Sequence, residues 1–343
     1  MTEQKLQEDI ISDTGKSKAE VIEALKSTPR NEIPILPVNP DNHIEKIKLR
    51  YIPYYEPDEN GGTEFEFIKC HFAAKKSSLL LVGPTGTGKT LMPAAYCQQN
   101  EIALLQADCS EGTKKADLIG RFIILDGTVW FQLGTLPAAI EIANQLGKAA
   151  IDLEETNGLL PHMQKIVNQF LDWRDHVYVP EIGRLFKVKP ENKLMIFATM
   201  NPSTYGGTHE LNKDYKNRYT ELKITYPTSA QELEILESEG IEVATVKRFI
   251  QLGMELRAAE SQGDVDDSPS PRTNQMVCDN YREYSKSARI CALQKGKGAL
   301  YYALKHNIMN LFDVPNQQEL VAKRIQRIFG INMNVVLTED DDE

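Results

Sequence analysis

Residues 79–90 read Leu-Leu-Leu-Val-Gly-Pro-Thr-Gly-Thr-Gly-Lys-Thr. An apolar run suited to a buried strand stops at Gly83, and Gly-x-x-x-x-Gly-Lys-Thr follows. This pattern constrains the fold more than any other stretch, because it demands a strand before it and a helix after it. The glycines let backbone N–H groups turn inward around a chain of phosphates. The next helix aims its positive end at them. Gly83, Pro84, Thr85, Gly86, Thr87, Gly88, Lys89, Thr90 and Leu91 are thereby assigned to nucleotide binding. Lys89 would reach the β- and γ-phosphates, and the Thr90 hydroxyl would hold Mg²⁺. The run from Leu91 to Gln99 supplies the helix, although Pro93 falls about a turn inside it and removes a backbone donor.

A phosphate loop of this kind works with a second buried strand that ends in carboxylates. One holds Mg²⁺ directly or through water, and the next polarises the attacking water. Ala149-Ala150-Ile151-Asp152-Leu153-Glu154-Glu155 has that form. It places Glu154 at the metal and Glu155 at the water. Asp152 is a rival metal ligand, but choosing it leaves Leu153 where the base belongs. Leu194–Thr199 is another buried-strand run and delivers Met200-Asn201-Pro202. A polar amide at that strand end could position the water, and the same residues also read as an Asn-Pro turn.

The intervening segments have their own signatures. Ile102–Ala107 reads as a strand. Asp117–Arg121 leads into Phe122–Leu125 and Thr128–Phe131, two β-prone runs separated by Asp126-Gly127, a hairpin signal. Leu136–Leu146 is helix-like. His162–Arg174 is a helix with Met163, Ile166, Val167, Phe170 and Leu171 on one broad face, and Trp173 reads as a packing residue. Val177–Pro180 and Leu185–Val188 form a second hairpin around Glu181-Ile182-Gly183. Asn217-Arg218-Tyr219 precedes a short strand at Leu222–Thr225; taken alone, its arginine is a surface charge.

The 343 residues leave room for a further domain. From Thr228 the pattern is helical: Ala230–Glu239, Val243–Ser261, a long region from Arg272 to about Phe312, and Gln317–Phe329. The expected organisation is an N-terminal arm over 1–60, an αβα nucleotide-binding domain over 61–227, a helical lid over 228–330 and an acidic tail over 331–343. Within the arm, Lys18–Lys26 could form a short helix. The prolines of Ile33–Pro40 impose an extended path, and Asp58–Gly62 is a turn-rich break.

The net charge of −10 argues against broad nucleic-acid coating. The five scattered cysteines form neither a disulfide frame nor a zinc site and read as reduced thiols of a cytoplasmic protein. No apolar run approaches membrane-spanning length, and Met1–Lys5 leads into polar sequence rather than a signal peptide.

Taken together, these motifs resemble the MoxR-type group of AAA+ ATPases, most closely its CbbQ/NirQ/NorQ-like and cobalt-chelatase-small-subunit-like branches. Four features carry the resemblance beyond the phosphate loop. Asp117–Arg121 with its hairpin looks like the helix-2 insert, and Leu153-Glu154-Glu155 occupies the Walker B place. The hairpin from Val177 to Val188 looks like the pre-sensor-1 insert, and Ala198–Pro202 looks like sensor 1. The match covers residues 60–330. It implies a P-loop NTPase sandwich with a helical lid, ATP and Mg²⁺ as cofactors, and homo-oligomeric rings, usually hexamers, that remodel a protein client. A frequent client carries a von Willebrand factor A domain. It also implies that Asn201 is sensor 1, that Arg218 is an arginine finger for the neighbouring subunit, and that Arg272 is sensor 2. One departure stands out. The family has Asp-Glu where this chain has Glu154-Glu155, and the extra methylene moves the metal-side carboxylate by about a bond length or two at a site that demands near-octahedral geometry.

The expected function is a ring-forming, Mg²⁺-dependent ATP hydrolase that remodels or activates a partner protein. Two alternatives remain. A nucleic-acid helicase or translocase would use Arg184 and Lys187 on the second hairpin, and a slow ATP-gated scaffold would follow from Glu154. A GTPase is disfavoured, because Asn212-Lys213-Asp214-Tyr215 lacks the Asp of the guanine-reading pattern.

Overall fold

The computed structural model describes residues 11–12, 28–46, 48–49, 51, 63–73, 78–125, 128–172, 176–202, 211–236 and 240–333. The expected helix at Lys18–Lys26, the break at Asp58–Gly62, the turn at Asp126-Gly127, Trp173 and residues 334–343 of the expected acidic tail lie outside the described residues, whereas Ile331 and Met333 are described and buried. The chain divides into two units. One takes in Met1–Tyr51, Gly62–Gly83 and Gly88–Ile224; the other takes in Ile52–Gly61, Pro84–Thr87 and Thr225–Glu343.

The first unit runs β1 (Ile11–Ser12), α1 (Glu64–Ala73), β2 (Ser78–Val82), α2 (Leu91–Gln99), β3 (Ala103–Asp108), α3 (Lys115–Leu118), β4 (Gly120–Leu125) and β5 (Thr128–Leu133). It continues with α4 (Thr135–Leu146), β6 (Lys148–Glu154), α5 (Pro161–Phe170), β7 (His176–Val179), β8 (Arg184–Lys187), β9 (Lys193–Met200), α6 (Lys213–Lys216) and β10 (Thr220–Lys223). Five strands form one parallel sheet in the order β10-β2-β9-β6-β3. The interior of β6 from Ala149 to Leu153 is buried throughout, as is β9 from Met195 to Thr199. Unbroken burial of this kind is what a parallel strand covered on both faces requires, and it explains the lack of polar alternation in their sequences.

Two helices differ from their sequence pattern in instructive ways. α2 begins at Leu91, so Pro93 lies in its first turn, where backbone N–H groups have no intrahelical partner to lose. α5 ends at Phe170 rather than at Arg174. Asp172 has left the helix and pairs with Arg218 at 3.6 Å.

Two antiparallel hairpins, β4–β5 and β7–β8, project from the sheet layer. The segment from Arg30 to His43 is tied to both. Ile35 bridges to Phe131, Leu36 N donates to Phe131 O at 2.9 Å, and Phe131 N donates to Pro34 O at 2.8 Å. Arg184 Nη2 donates to the carbonyls of Asn31 (2.6 Å) and Ile33 (3.1 Å). The arm is thus extended where its prolines require it, and it is fastened by backbone groups.

The second unit is helical: α7 (Ser229–Leu236), α8 (Val243–Gln262), α9 (Pro271–Ser285), α10 (Ala288–Gly296), α11 (Gly298–Asn307) and α12 (Pro315–Phe329). The long helical region expected after Arg272 is helical and is divided into α9, α10 and α11. Leu293, Gln294 and Lys295 leave helical geometry, and the latter two take positive φ. At its centre Glu232 is fully buried and accepts two hydrogen bonds from Arg257 (2.7 and 2.9 Å) and one from Asn274 (2.7 Å). A buried carboxylate persists only when paired and hydrogen-bonded in this way.

Candidate active site

The parallel register brings the predicted groups to one end of the sheet. Val82 lies opposite Met200, so Gly83 begins the phosphate loop beside Asn201. Leu153 lies opposite Ala198, so Glu154 and Glu155 leave β6 level with Thr199 and Met200. The strand ends therefore collect Gly83, Glu154, Glu155 and Asn201.

The loop itself is built for close approach. A Cβ at Gly83 would sit 2.2 Å from Ile224 O, so no side chain fits there. Gly86 and Gly88 take φ of +73° and +79°, a region open to glycine at little cost. Thr87 Oγ1 donates to Pro84 O at 2.9 Å and closes the turn. Met92 N donates to Gly88 O at 2.8 Å, so helical bonding starts at the loop's end. Lys89 is only 8% exposed. Within the helical unit, the space over Gly86 is taken by Ser270 and by the Cβ of Arg272, which would stand 3.4 Å from a Cβ at that glycine. Arg272 is the second residue of α9.

The carboxylates differ from one another. Glu154 Oε1 accepts from Gln106 Nε2 at 2.7 Å. Burial raises the Glu154 pKa, the Gln106 bond opposes that, and the charges of Asp108 and Glu155 add to it. Glu155 holds a left-handed backbone, φ 50° and ψ 46°. For a residue with a Cβ this costs about 1–2 kcal/mol. The turn is held by Glu155 N donating to Thr199 Oγ1 (3.0 Å) and Gly158 N donating to Glu155 O (2.7 Å). Asn201 Nδ2 lies 3.5 Å from Glu155 Oε1, at the long limit of a hydrogen bond. Asp152 is fully buried, and neither of its oxygens has a partner among the described residues. Burial first, and the charge of Glu154 second, raise its pKa well above the ordinary carboxylate value. A fully buried carboxyl is poorly placed to meet a hydrated cation, so Glu154, at the strand end, is the better candidate for that place. With one Glu154 oxygen engaged by Gln106, the other is available to a hydrated cation, so the donor set fits Mg²⁺.

Arg218 is elsewhere. Thr220, two residues on, is paired with Leu79 near the start of β2. The length of that five-residue strand, about 16 Å, therefore separates Arg218 from its own phosphate loop. Its side chain, 35% exposed, pairs with Asp172 and lines an open cavity of about 310 Å³ that also contains Lys193 and Asn217.

A glycine-cradled phosphate loop and strand-end acids on a five-stranded parallel sheet with a helical unit define a P-loop ATPase of the AAA+ class. Residues 78–219 match the AAA domain (dynein-related subfamily). The denitrification regulatory protein NirQ of Pseudomonas aeruginosa is 30% identical over 222 residues, 64% of this chain and 80% of NirQ. Protein CbbQ of Hydrogenophilus thermoluteolus is 26% identical over 226 residues, 65% of this chain and 80% of CbbQ. Protein NorQ of Paracoccus denitrificans is 26% identical over 222 residues, 64% of this chain and 77% of NorQ. The chain belongs to the MoxR-type AAA+ ATPases, with NirQ, CbbQ and NorQ among its relatives, and it binds and hydrolyses ATP.

Gln106 and Thr199 were not singled out from the sequence. Gln106 carries a weak signal, as a polar residue inside the apolar run Ala-Leu-Leu-Gln-Ala. Thr199 carries none, because its hydroxyl acts on a turn 44 residues away.

Proposed function

We propose that this chain is one subunit of a Mg²⁺-dependent ring, hexameric as its family resemblance implies, that uses ATP to remodel or activate a partner protein in the cytoplasm. The observation that carries this reading is the position of Arg218. It stands a full strand length from its own phosphate loop, so a single subunit does not bring it to the phosphates it binds. A neighbour's Arg218 would complete the site and stabilise charge as the terminal phosphate leaves. Lys89 and the backbone of Gly83–Leu91 hold the phosphates, while Thr90 and Glu154 hold the cation. Glu155 orients and deprotonates the attacking water, with Asn201 fixing its carboxylate. Arg272, whose Cβ stands over Gly86 within the helical unit, is the sensor-2 residue that the family resemblance implies. Mg²⁺ supplies charge neutralisation on the phosphate oxygens.

A protein client is favoured over nucleic acid by what the second hairpin exposes. Tyr178 and Leu185 face each other across β7–β8, yet they are 52% and 57% exposed. Of the two cations a nucleic-acid motor would use, Arg184 is instead spent on the carbonyls of Asn31 and Ile33, which leaves only Lys187 of the pair exposed on that hairpin. An apolar cross-strand pair offered to solvent suits a protein surface. A von Willebrand factor A domain is the client type the family resemblance implies. Among the described residues no helix is long and apolar enough to cross a membrane.

The deciding experiment is ATP turnover per subunit against protein concentration, with Glu155→Gln as the blank. The expected result is a rate that rises with concentration and vanishes in the variant. A rate that stays constant through a range in which sedimentation shows dissociation removes the shared-site reading. Tight ATP binding without turnover would favour an ATP-gated switch, the outcome Glu154 would produce if Gln106 did not compensate for its length.

A further inference from the structure

Three hydroxyl groups in the interior of the first unit have no place in the chemistry described so far. Thr156, the residue after Glu155, is fully buried. Its Oγ1 lies 2.5 Å from the hydroxyl of Tyr215, which is also fully buried. Tyr219 Oη donates to Tyr215 Oη at 2.9 Å, and in the next bond either the Tyr215 or the Thr156 hydroxyl can donate. The two rings meet edge to face at 5.3 Å. These tyrosines bracket Arg218. Arg218 N donates to Tyr215 O at 3.2 Å, and Tyr219 N donates to Lys216 O at 3.1 Å.

We propose that Thr156, Tyr215 and Tyr219 are positioning residues. Their hydroxyl relay ties the Glu155 turn of one catalytic site to the Arg218 that the same subunit lends to its neighbour. This inference rests on the trans role of Arg218 given above.

Phenylalanine at 215 and 219 and valine at 156 would fill the same volume without polar atoms to satisfy. Buried hydroxyls are costly when unpaired, so the three must move together or lose their partners. Burial holds the Tyr215 hydroxyl far above its usual pKa, so it keeps its proton across the working pH range. The relay begins at the Glu155 turn, whose left-handed backbone is held by Thr199 and whose carboxylate makes only a long contact with Asn201. When Glu155 engages its water, the turn shifts and Thr156 shifts with it. The displacement passes through Tyr215 to the backbone of Arg218 at the other end of the sheet. A subunit that is loaded for hydrolysis thereby presents its arginine differently from an empty one.

The test is a double-mutant cycle in the full-length assembled protein, reading kcat and the ATP dissociation constant separately. Tyr215→Phe keeps the ring and removes the hydroxyl. It is expected to lower kcat about tenfold with ATP affinity unchanged. Thr156→Val should do the same, the two together should lose no more than either alone, and Thr156→Ser should restore the wild-type kcat. In an Arg218→Ala background, Tyr215→Phe should add nothing. Wild-type kcat in Tyr215→Phe overturns the relay, as does a lowered melting temperature with kcat per folded subunit intact. Losses that multiply with that of Arg218→Ala also overturn it. If Arg218→Ala itself turns over like the wild type, the trans role fails and the relay fails with it. If it is slow while the tyrosine variants are not, only the relay fails. Should Tyr215→Phe not fold, the Thr156→Val and Thr156→Ser pair makes the same comparison.

Discussion

The two ends of the central sheet are built from the same strands but are finished differently. At the C-terminal ends, Glu155 holds a left-handed backbone, and Asp152 and Asn157 are buried with side-chain polar atoms that have no partner among the described residues. At the N-terminal ends, the left-handed residues Glu101 and Gly147 follow helices α2 and α4, where such turns are routine. There Arg218 has a carboxylate partner in Asp172. The first end holds its strain beside the strand-end acids; the second is the more relaxed in its turns, although His71 Nε2 there is also buried with no partner among the described residues, and it carries the Arg218–Asp172 pair. Strain tends to gather where ligands are turned over, which agrees with the proposal that the first end is the reaction site and that Arg218, at the second, serves a neighbour's.

The largest effect expected from this division is on turnover. Arg218→Ala should reduce it about 10³-fold while ATP still binds. Co-assembly with Glu155→Gln subunits should recover part of the rate, because some interfaces then pair an intact Glu155 with an intact Arg218. No recovery in such mixtures, measured by steady-state phosphate release, would break the comparison at its centre. The next effect is on stability. Gly83→Ala must displace the Ile224 carbonyl and should cost about 1–3 kcal/mol. At the relaxed end, Gly147→Ala meets nothing closer than 4.0 Å and bears only its φ, about 1 kcal/mol. Equal losses in denaturant titrations would mean that the two ends are equally tight. Gln106→Ala releases Glu154 and should raise the Mg²⁺ needed for half-maximal turnover about tenfold, the worth of a hydrogen bond to a charged group. Direct Mn²⁺ titration by electron paramagnetic resonance would check the affinity apart from the rate.

The smallest effect is in pH dependence. Asp152 is held neutral in the folded chain over a range in which the unfolded chain would ionise it. The native state therefore binds more protons there, and stability declines as pH rises from about 4 towards the raised native value. Asp152→Asn removes that decline. Its melting temperature relative to wild type should climb as pH is raised across this window, and a constant offset would show that the buried acid is ionised after all.

Much of the first end was legible in the sequence, because its chemistry sits on contiguous residues. The phosphate loop needs glycines at fixed offsets, and the carboxylates must end an apolar strand. The strands and hairpins followed for the same reason, since burial on two faces erases alternation and short turns carry their own residues. What escaped was long-range or conformational. Gln106 meets Glu154 across 48 residues, and Thr156 meets Tyr215 across 59, and no local pattern announces either pair. The break at Leu293-Gln294-Lys295 uses residues that favour helix, so tertiary packing overrides propensity there. The early end of α5 escaped because Arg174 and Asp172 look like ordinary helix surface until one knows that Asp172 has an arginine to meet.

The arm that fastens the two hairpins has a consequence for how the chain is made. Arg184 closes on carbonyls 153 and 151 residues behind it. At a synthesis rate of ~5–20 residues per second, Asn31 and Ile33 leave the ribosome roughly 10–30 s before their clamp exists. Ile33, 2% exposed once folded, spends that interval without the hairpin residue that finally covers its backbone. The arm is therefore fastened in two stages: Pro34, Ile35 and Leu36 can pair with Phe131 once the first hairpin has emerged, and the Arg184 clamp on Asn31 and Ile33 closes later. A chaperone that recognises short apolar stretches would find its target in the Ile33-Pro34-Ile35-Leu36 segment until that first hairpin is made.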